Sequence, residues 1–269
     1  MPSTLVHSVQ QKLNLRAYEG TIENLKSLKP FTPDTPLAVK SLIGRNLVNK
    51  CRRDYLGFVH QGSGVLKPGT IPQDSLKDEG PFVENTVESH VAPFCLNFKD
   101  EIAKQMEAFY LPRSLLQCTV PGAESTPVHY TQIFLRSGPP TSVTAWVPIG
   151  DIEKDGEFTC LSIDLSEEKK VSHVNRNMNA GGWLDRNSSQ FGKNWGRNWL
   201  VGEYGAGDVV FHNPHMIHAG PINELPKGRI RVSTDLRCVD TSKPFEERWT
   251  FPAFSESDPN LAHKLKLSA

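Results

Sequence analysis

Between residue 115 and residue 239 the chain is cut into short β-type runs: "LLQCTV", "VHYTQIFL", "SVTAWVPIG", "FTCLSI", "NWLVGEY", "DVVFHNP", "MIHAGPI" and "RIRVSTDLRCV". Glycines and prolines separate them at the intervals expected of an antiparallel sandwich. Few folds accommodate such a succession of short strands, and the pattern predicts a mainly β protein with a jelly-roll core and flanking helices.

The remainder of the 269 residues is fitted around that core as one domain. Residues 1–114 are expected to be helix-rich. Residues 5–30 have helical spacing, and "FTPDTPLAVKSLIG" restarts after Asp34 or Thr35 as N-cap with Pro36 in the first turn. Residues 52–90 have no clear period and predict irregular segments, and "FKDEIAKQMEAFYLP" (98–112) predicts one more helix. The core is placed at 115–250. Residues 166–198, polar and rich in Asn and Gly, predict an insertion over one end of the barrel, and 251–269 a loose tail.

Charge narrows the partners. Thirty basic and thirty acidic residues cancel, with no long run of either sign, so neither nucleic acid nor a membrane surface is an expected partner. Five cysteines lie far apart without a Cys-x-x-Cys pair and read as reduced thiols. The first residues lack the apolar run of a signal peptide, and no window approaches a membrane span. A cytoplasmic location is expected.

Candidate chemistry lies in two stretches. In "TPVHYTQIFLR" (126–136), His129 and Thr131 are two apart and project the same way on a strand. In "GAGDVVFHNPHMIHAGPINELPKGRIRVSTDLR" (205–237), a Gly-Asp turn opens a strand followed by His212, His215 and His218. Neutral imidazoles near strand ends suit Fe(II), Cu or Zn. Each also has a bland alternative. His212 and His215 are expected to pack or hydrogen-bond near the site, Trp146 reads equally as core, and Arg229 and Arg231 alternate with apolar neighbours as solvent-facing strand residues do. Trp183, Trp195 and Trp199 read either as a substrate cover or as anchors of a long loop.

An early-strand His, a late-strand His and an Arg eleven residues beyond it resemble the phytanoyl-CoA dioxygenase family of Fe(II)/2-oxoglutarate oxygenases, in particular its fungal natural-product (meroterpenoid-type) branch. The resemblance covers about residues 115–250. It implies a double-stranded β-helix of cupin type, with His129 and His218 as metal ligands. It also implies that Arg229 clamps the distal carboxylate of 2-oxoglutarate, that Trp146 lines the cosubstrate side, and that Asn223 and Asp208 stand at recurring family positions. Iron and 2-oxoglutarate are the implied cofactors, and a small molecule is the implied substrate, with a terpenoid as the option the resembled branch suggests. The resemblance further implies a homodimer or a heterodimer with a paralogous oxygenase.

Two departures matter. Thr131 stands where the family places its aspartate ligand, and Gly220 where many relatives carry a Ser or Thr that contacts the oxo-acid. A neutral hydroxyl is a weak ligand for a hard dication, so iron affinity is expected to fall. Three readings follow: an oxygenase with a two-histidine iron site, a degenerate subunit supporting an active paralogue, and a redox-neutral isomerase or cyclase using His129 or His218 as acid or base.

Overall fold

The computed structural model describes residues 18–19, 36–63, 110–119, 126–135, 138–152, 159–161, 183–196, 199–223 and 230–250. Strands β1 (Tyr18–Glu19), β2 (Leu37–Lys40), β3 (Tyr110–Thr119), β5 (Val143–Pro148), β8 (Val209–His212) and β10 (Arg231–Cys238) form one sheet, in the order β1-β2-β8-β5-β10-β3. The second sheet runs β4-β9-β6-β7, from β4 (His129–Tyr130), β9 (Ile217–Ala219), β6 (Thr159–Leu161) and β7 (Leu200–Val201). All pairs except β1–β2 are antiparallel. The crossovers between non-consecutive neighbours are those of the jelly roll predicted from the sequence.

The larger sheet has two unlike faces, because successive strand residues point opposite ways. Ala145, Val147 and Ile149 of the β5 segment, Val209 of β8, and Val232 and Leu236 of β10 turn outward into the main apolar core. Helix α1 (Arg45–Ser63) covers them with Val48, Cys51, Tyr55 and Leu56. Those four recur at i, i+3, i+7 and i+8, the stripe of a helix with one buried side. On its other side Lys50 and Asp54 pair at 2.7 Å in the exposed i,i+4 geometry. Each fully buried aliphatic in this layer contributes roughly 1.5–3 kcal/mol. Arg52 pins helix to barrel by donating to the carbonyls of Ile149 (2.6 Å) and Ile230 (2.7 Å).

Several predicted elements are corrected. "PLAVK" forms strand β2, not a helix, because Leu37, Ala38 and Val39 find backbone partners in Phe211, Val210 and Val209 along β8. That pairing outweighs the local Asp-Thr-Pro cap signal. Tyr18–Glu19, inside the predicted 5–30 helix, pairs in parallel with Val39 and Lys40. Residues 52–63, predicted irregular, complete α1. Tyr110–Pro112, predicted as a helix end, opens β3 on the edge of β10. The other residues of 5–30, residues 64–90 and 98–109, most of the insertion and the 251–269 tail lie outside the described residues.

The described part of the insertion is a backing layer for the smaller sheet. Helix α2 (Ser188–Asn194) is capped by Asn187, whose side chain accepts from the Gln190 N–H. Phe191, with Leu184, Trp195 and Trp199, packs against Val128, Tyr130, Ile217 and Ala219 on that sheet's outer face. Trp195 and Trp199 therefore act as anchors, and Trp199 Nε1 donates to the Ser188 carbonyl at 2.8 Å.

A tight knot joins β2, β8 and α1. Asp208 is buried and accepts from Lys40 Nζ (2.7 Å), the Ser41 N–H (3.0 Å) and the Gly205 N–H (2.8 Å). The neighbouring Gly207 has φ +106°, and a Cβ there would lie 2.3 Å from the Ile43 carbonyl oxygen. Gly207→Ala is expected to destabilise the fold by roughly 3 kcal/mol or more. A urea titration would register this as a lower midpoint at unchanged slope.

Candidate metal and cosubstrate site

The inner face of the larger sheet is polar. On β10 Arg231, Ser233, Asp235 and Arg237 alternate with the outward apolar residues and are all buried. Cross-strand register extends this surface. Arg237 lies opposite Thr144, and Thr144 opposite His212; Asp235 lies opposite Trp146, and Trp146 opposite Val210. The reading of Arg231 as solvent-facing is corrected, since the strand turns it inward and only 6% of it is exposed. Arg229 lies outside the described residues.

The smaller sheet faces this surface with two histidines. His129 on β4 and His218 on β9 are directly paired in register, and their ring centroids are 4.1 Å apart. Strand β4 ends at Tyr130, so Thr131 begins a 3₁₀ turn (Thr131–Ile133) and is not on the strand as predicted. The turn still aims Thr131 inward: it is fully buried, and its Oγ1 lies 3.2 Å from Thr144 Oγ1 on the opposite sheet. A hydroxyl pair thus bridges the two sheets at the position where the resemblance placed a carboxylate slot.

Nδ1 of His129 is 2.8 Å from the Pro127 carbonyl and Nδ1 of His218 is 2.9 Å from the Met216 carbonyl. A carbonyl oxygen can only accept, so each Nδ1 carries the proton and each Nε2 keeps its lone pair. That is the tautomer a metal-ligating histidine adopts. His212 stacks obliquely on His218 at 4.6 Å, with Nδ1 3.2 Å from the Asn213 carbonyl. His215 instead lies by Tyr130, 6.1 Å ring to ring. Among the described residues, no three His, Cys, Asp or Glu side chains converge as a metal-holding group. The two imidazoles therefore fit a metal as a pair, and no third protein ligand joins them among the described residues. The buried carboxylate of Asp235 is engaged by Gln117 Nε2 at 3.3 Å and faces Arg237 Nη2 at 3.6 Å.

The other predicted positions have physical explanations. Trp146 is buried with Ala38, Ile152, Tyr204, Val210 and Met216, edge-on to Tyr204 at 5.2 Å, and so forms part of the core. A Cβ on Gly220 would lie 3.0 Å from Thr126 Oγ1 and 3.1 Å from Arg231 Nη2. The space of a larger side chain is already taken. Arg231 Nη2 also donates to the Pro221 carbonyl at 2.9 Å, and burial pulls its guanidinium down to about 10. Asn223 is fully buried and donates from Nδ2 to the Thr119 carbonyl at 2.8 Å, tying the segment after β9 to β3.

Asp235 and Arg237 were not singled out as site groups from the sequence. The signal present was the period-two recurrence of polar residues in "RVSTDLR", which only the register with β5 turns into an inward-facing set.

Burial, above all, lowers all three imidazoles below the ordinary 6.5; His212 falls to about 4, and His129 and His212 add repulsion at His218. The unfolded chain thus binds more protons, and the resulting stability is complete above pH 6.5 and lost as pH falls towards 4. For His212 alone the loss is about 3 kcal/mol, at 1.36 kcal/mol per pKa unit. Denaturant titrations of metal-free protein between pH 8 and pH 4 should show this decline, and His212→Gln should flatten it.

No family model and no curated protein matches the sequence. Solved structures do match. AviO1 from Streptomyces viridochromogenes Tue57 aligns over 84% of this chain and 98% of its own, at 16% identity and a TM-score of 0.52. SnoK, a non-heme alpha-ketoglutarate-dependent carbocyclase from nogalamycin biosynthesis, aligns over 91% of this chain and 93% of its own, at 15% identity and a TM-score of 0.51. The epimerase SnoN, solved with Fe3+, alpha-ketoglutarate and nogalamycin RO, aligns over 81% of this chain and 83% of its own, at 14% identity and a TM-score of 0.48. With SnoK and AviO1 this chain shares the fold: two facing sheets whose inner surfaces here carry the paired His129 and His218.

Proposed function

We propose that the protein is an Fe(II)/2-oxoglutarate-dependent, oxygenase-type enzyme of natural-product biosynthesis, acting on a small molecule through a two-histidine iron site. The observation that carries this reading is the direct pairing of His129 and His218, each with Nδ1 on a backbone carbonyl, the tautomer in which Nε2 can ligate a metal. The motif resemblance supports a place in the fungal, meroterpenoid-type branch of the phytanoyl-CoA dioxygenase family, with a terpenoid as the substrate class. SnoK supports the broader class, because a carbocyclase of this fold is alpha-ketoglutarate-dependent.

His129 and His218 would hold the iron, and Arg229 would be the residue to grip the far carboxylate of 2-oxoglutarate, since a planar guanidinium suits two-point pairing with a carboxylate. Bound there, iron and 2-oxoglutarate would supply oxygen activation and an oxidant for a substrate C–H bond. The buried Trp146–Tyr204–Met216 cluster keeps one wall of the barrel apolar and excludes water. Thr131 would leave the third protein position neutral, and a water or small anion would be needed there if iron is held.

Anaerobic addition of Fe(II) and 2-oxoglutarate to metal-free protein, followed by the chelate's charge-transfer band, tests the assignment. Wild type should form the chelate, and Thr131→Asp should tighten iron by about tenfold or more by restoring an anionic ligand. Arg229→Ala should abolish 2-oxoglutarate binding and spare the fold. A band only in Thr131→Asp would refute independent iron chemistry in the wild type.

Thr131 itself favours a second reading, a supporting subunit of a heterodimer whose paralogue carries the chemistry. Solubility only on co-expression with that paralogue would identify this case. Turnover without iron or oxo-acid would instead identify a redox-neutral isomerase or cyclase.

A further inference from the structure

Phe134 follows the 3₁₀ turn Thr131–Ile133, and it is 36% exposed while its neighbours Ile133 and Leu135 are each 1% exposed. One apolar side chain in water is ordinary on a protein surface. What sets this one apart is its contact. Its ring centroid stands 5.8 Å from that of His129, with 70° between the ring planes. A ring that meets solvent on one side and a histidine of the paired site on the other belongs to the wall of the way in.

The backbone under that ring is braced. The Phe134 N–H donates to the Thr131 carbonyl at 2.9 Å, and the Gln132 N–H to the Pro214 carbonyl, in the connection between β8 and β9, at 2.8 Å. Gln132 Nε2 donates to the carbonyls of Leu135 (3.1 Å) and Gly138 (2.9 Å), fastening the segment beyond the ring. Ile133 and Leu135 anchor it on either side by burial. An aromatic on so fixed a backbone has little freedom to lose when a ligand arrives, which makes it an efficient contact.

The geometry also selects a shape. His129 and Phe134 stand far from parallel and form a corner. A flat ring laid along either one meets the other edge-on, and offset-stacked and edge-on contacts are the arrangements aromatic rings favour. An open chain gains only from its apolar area. The corner asks for no charge, because burial keeps His129 neutral and Thr131, buried at the start of the turn, contributes a hydroxyl.

We propose that Phe134 is a substrate-contacting residue which, together with His129, selects a small molecule carrying a flat, uncharged ring. This rests on the reading of the His129–His218 pair as the reaction centre, and adds to it the shape of the group presented there.

The test uses intact, metal-free protein, with 2-naphthol as the flat-ring probe and 1-octanol as an open-chain probe of similar apolarity. The ring-proton resonances of His129 and Phe134, assigned through His129→Gln and Phe134→Leu, are followed during each titration. Naphthol should move both sets saturably, and octanol should move them far less. Phe134→Ala should weaken naphthol binding by about fivefold, the worth of one aromatic contact, and Phe134→Tyr should keep it within about twofold of wild type. A merely structural Phe134 would instead lower the urea midpoint and leave naphthol affinity alone. If Phe134→Ala fails to fold, the wild-type resonances decide. Unmoved resonances at these two rings, an affinity indifferent to Phe134→Ala, or an equal response to octanol overturns the proposal. The iron chelate's band is read separately on wild type. Naphthol at this corner without a chelate sinks the oxygenase reading alone, and a chelate without naphthol there sinks the Phe134 assignment alone.

Discussion

The alternation of side chains along β10 is the constraint on which the rest of the molecule depends. Val232 and Leu236 face α1, while Arg231, Ser233, Asp235 and Arg237 face the barrel interior. A one-residue slip would exchange the two sets, placing guanidiniums against the helix and aliphatics beside the histidines. Register is consequently well specified: β3 and β5 flank the strand, and Arg52 reaches from the helix to the carbonyl just before it. The same pleat thus supplies both the apolar adhesion of the helix and the polar lining of the site.

What the sequence disclosed follows from how local each signal is. The jelly roll was legible because short β-rich runs punctuated by Gly and Pro need no long-range information. The histidine pair was legible from spacing and from likeness to a known motif. Strand β2 was not, since its residues are strand-like only through β8, and an Asp-Thr-Pro sequence speaks locally for a helix start. The inward set on β10 was half legible: its period was visible, but which half faced the barrel interior depended on a sheet partner some ninety residues away. Thr131 was placed correctly in the barrel for a partly wrong reason, because a 3₁₀ turn rather than a continued strand aims it inward.

Thr131 and Gly220 both sit in filled surroundings. Thr131 and Thr144 close the carboxylate slot with a neutral contact, and Arg231 with Thr126 occupies the room beside Gly220. Nearby side chains thus occupy the space at both positions. Such filling maintains interior density where functional groups have changed.

The insertion's backing layer has a mechanical consequence for the site. Leu184 and Asp185 exchange backbone hydrogen bonds with Val128, whose neighbour is His129, at 2.6 and 2.8 Å. Phe191 meanwhile presses on the outer side of the same sheet. The imidazole is therefore seated from behind, and substitutions around 184–199 can retune its pose without entering the cavity. A lineage could alter the reactivity of this barrel by remodelling its exterior, leaving every residue that meets the ligand unchanged.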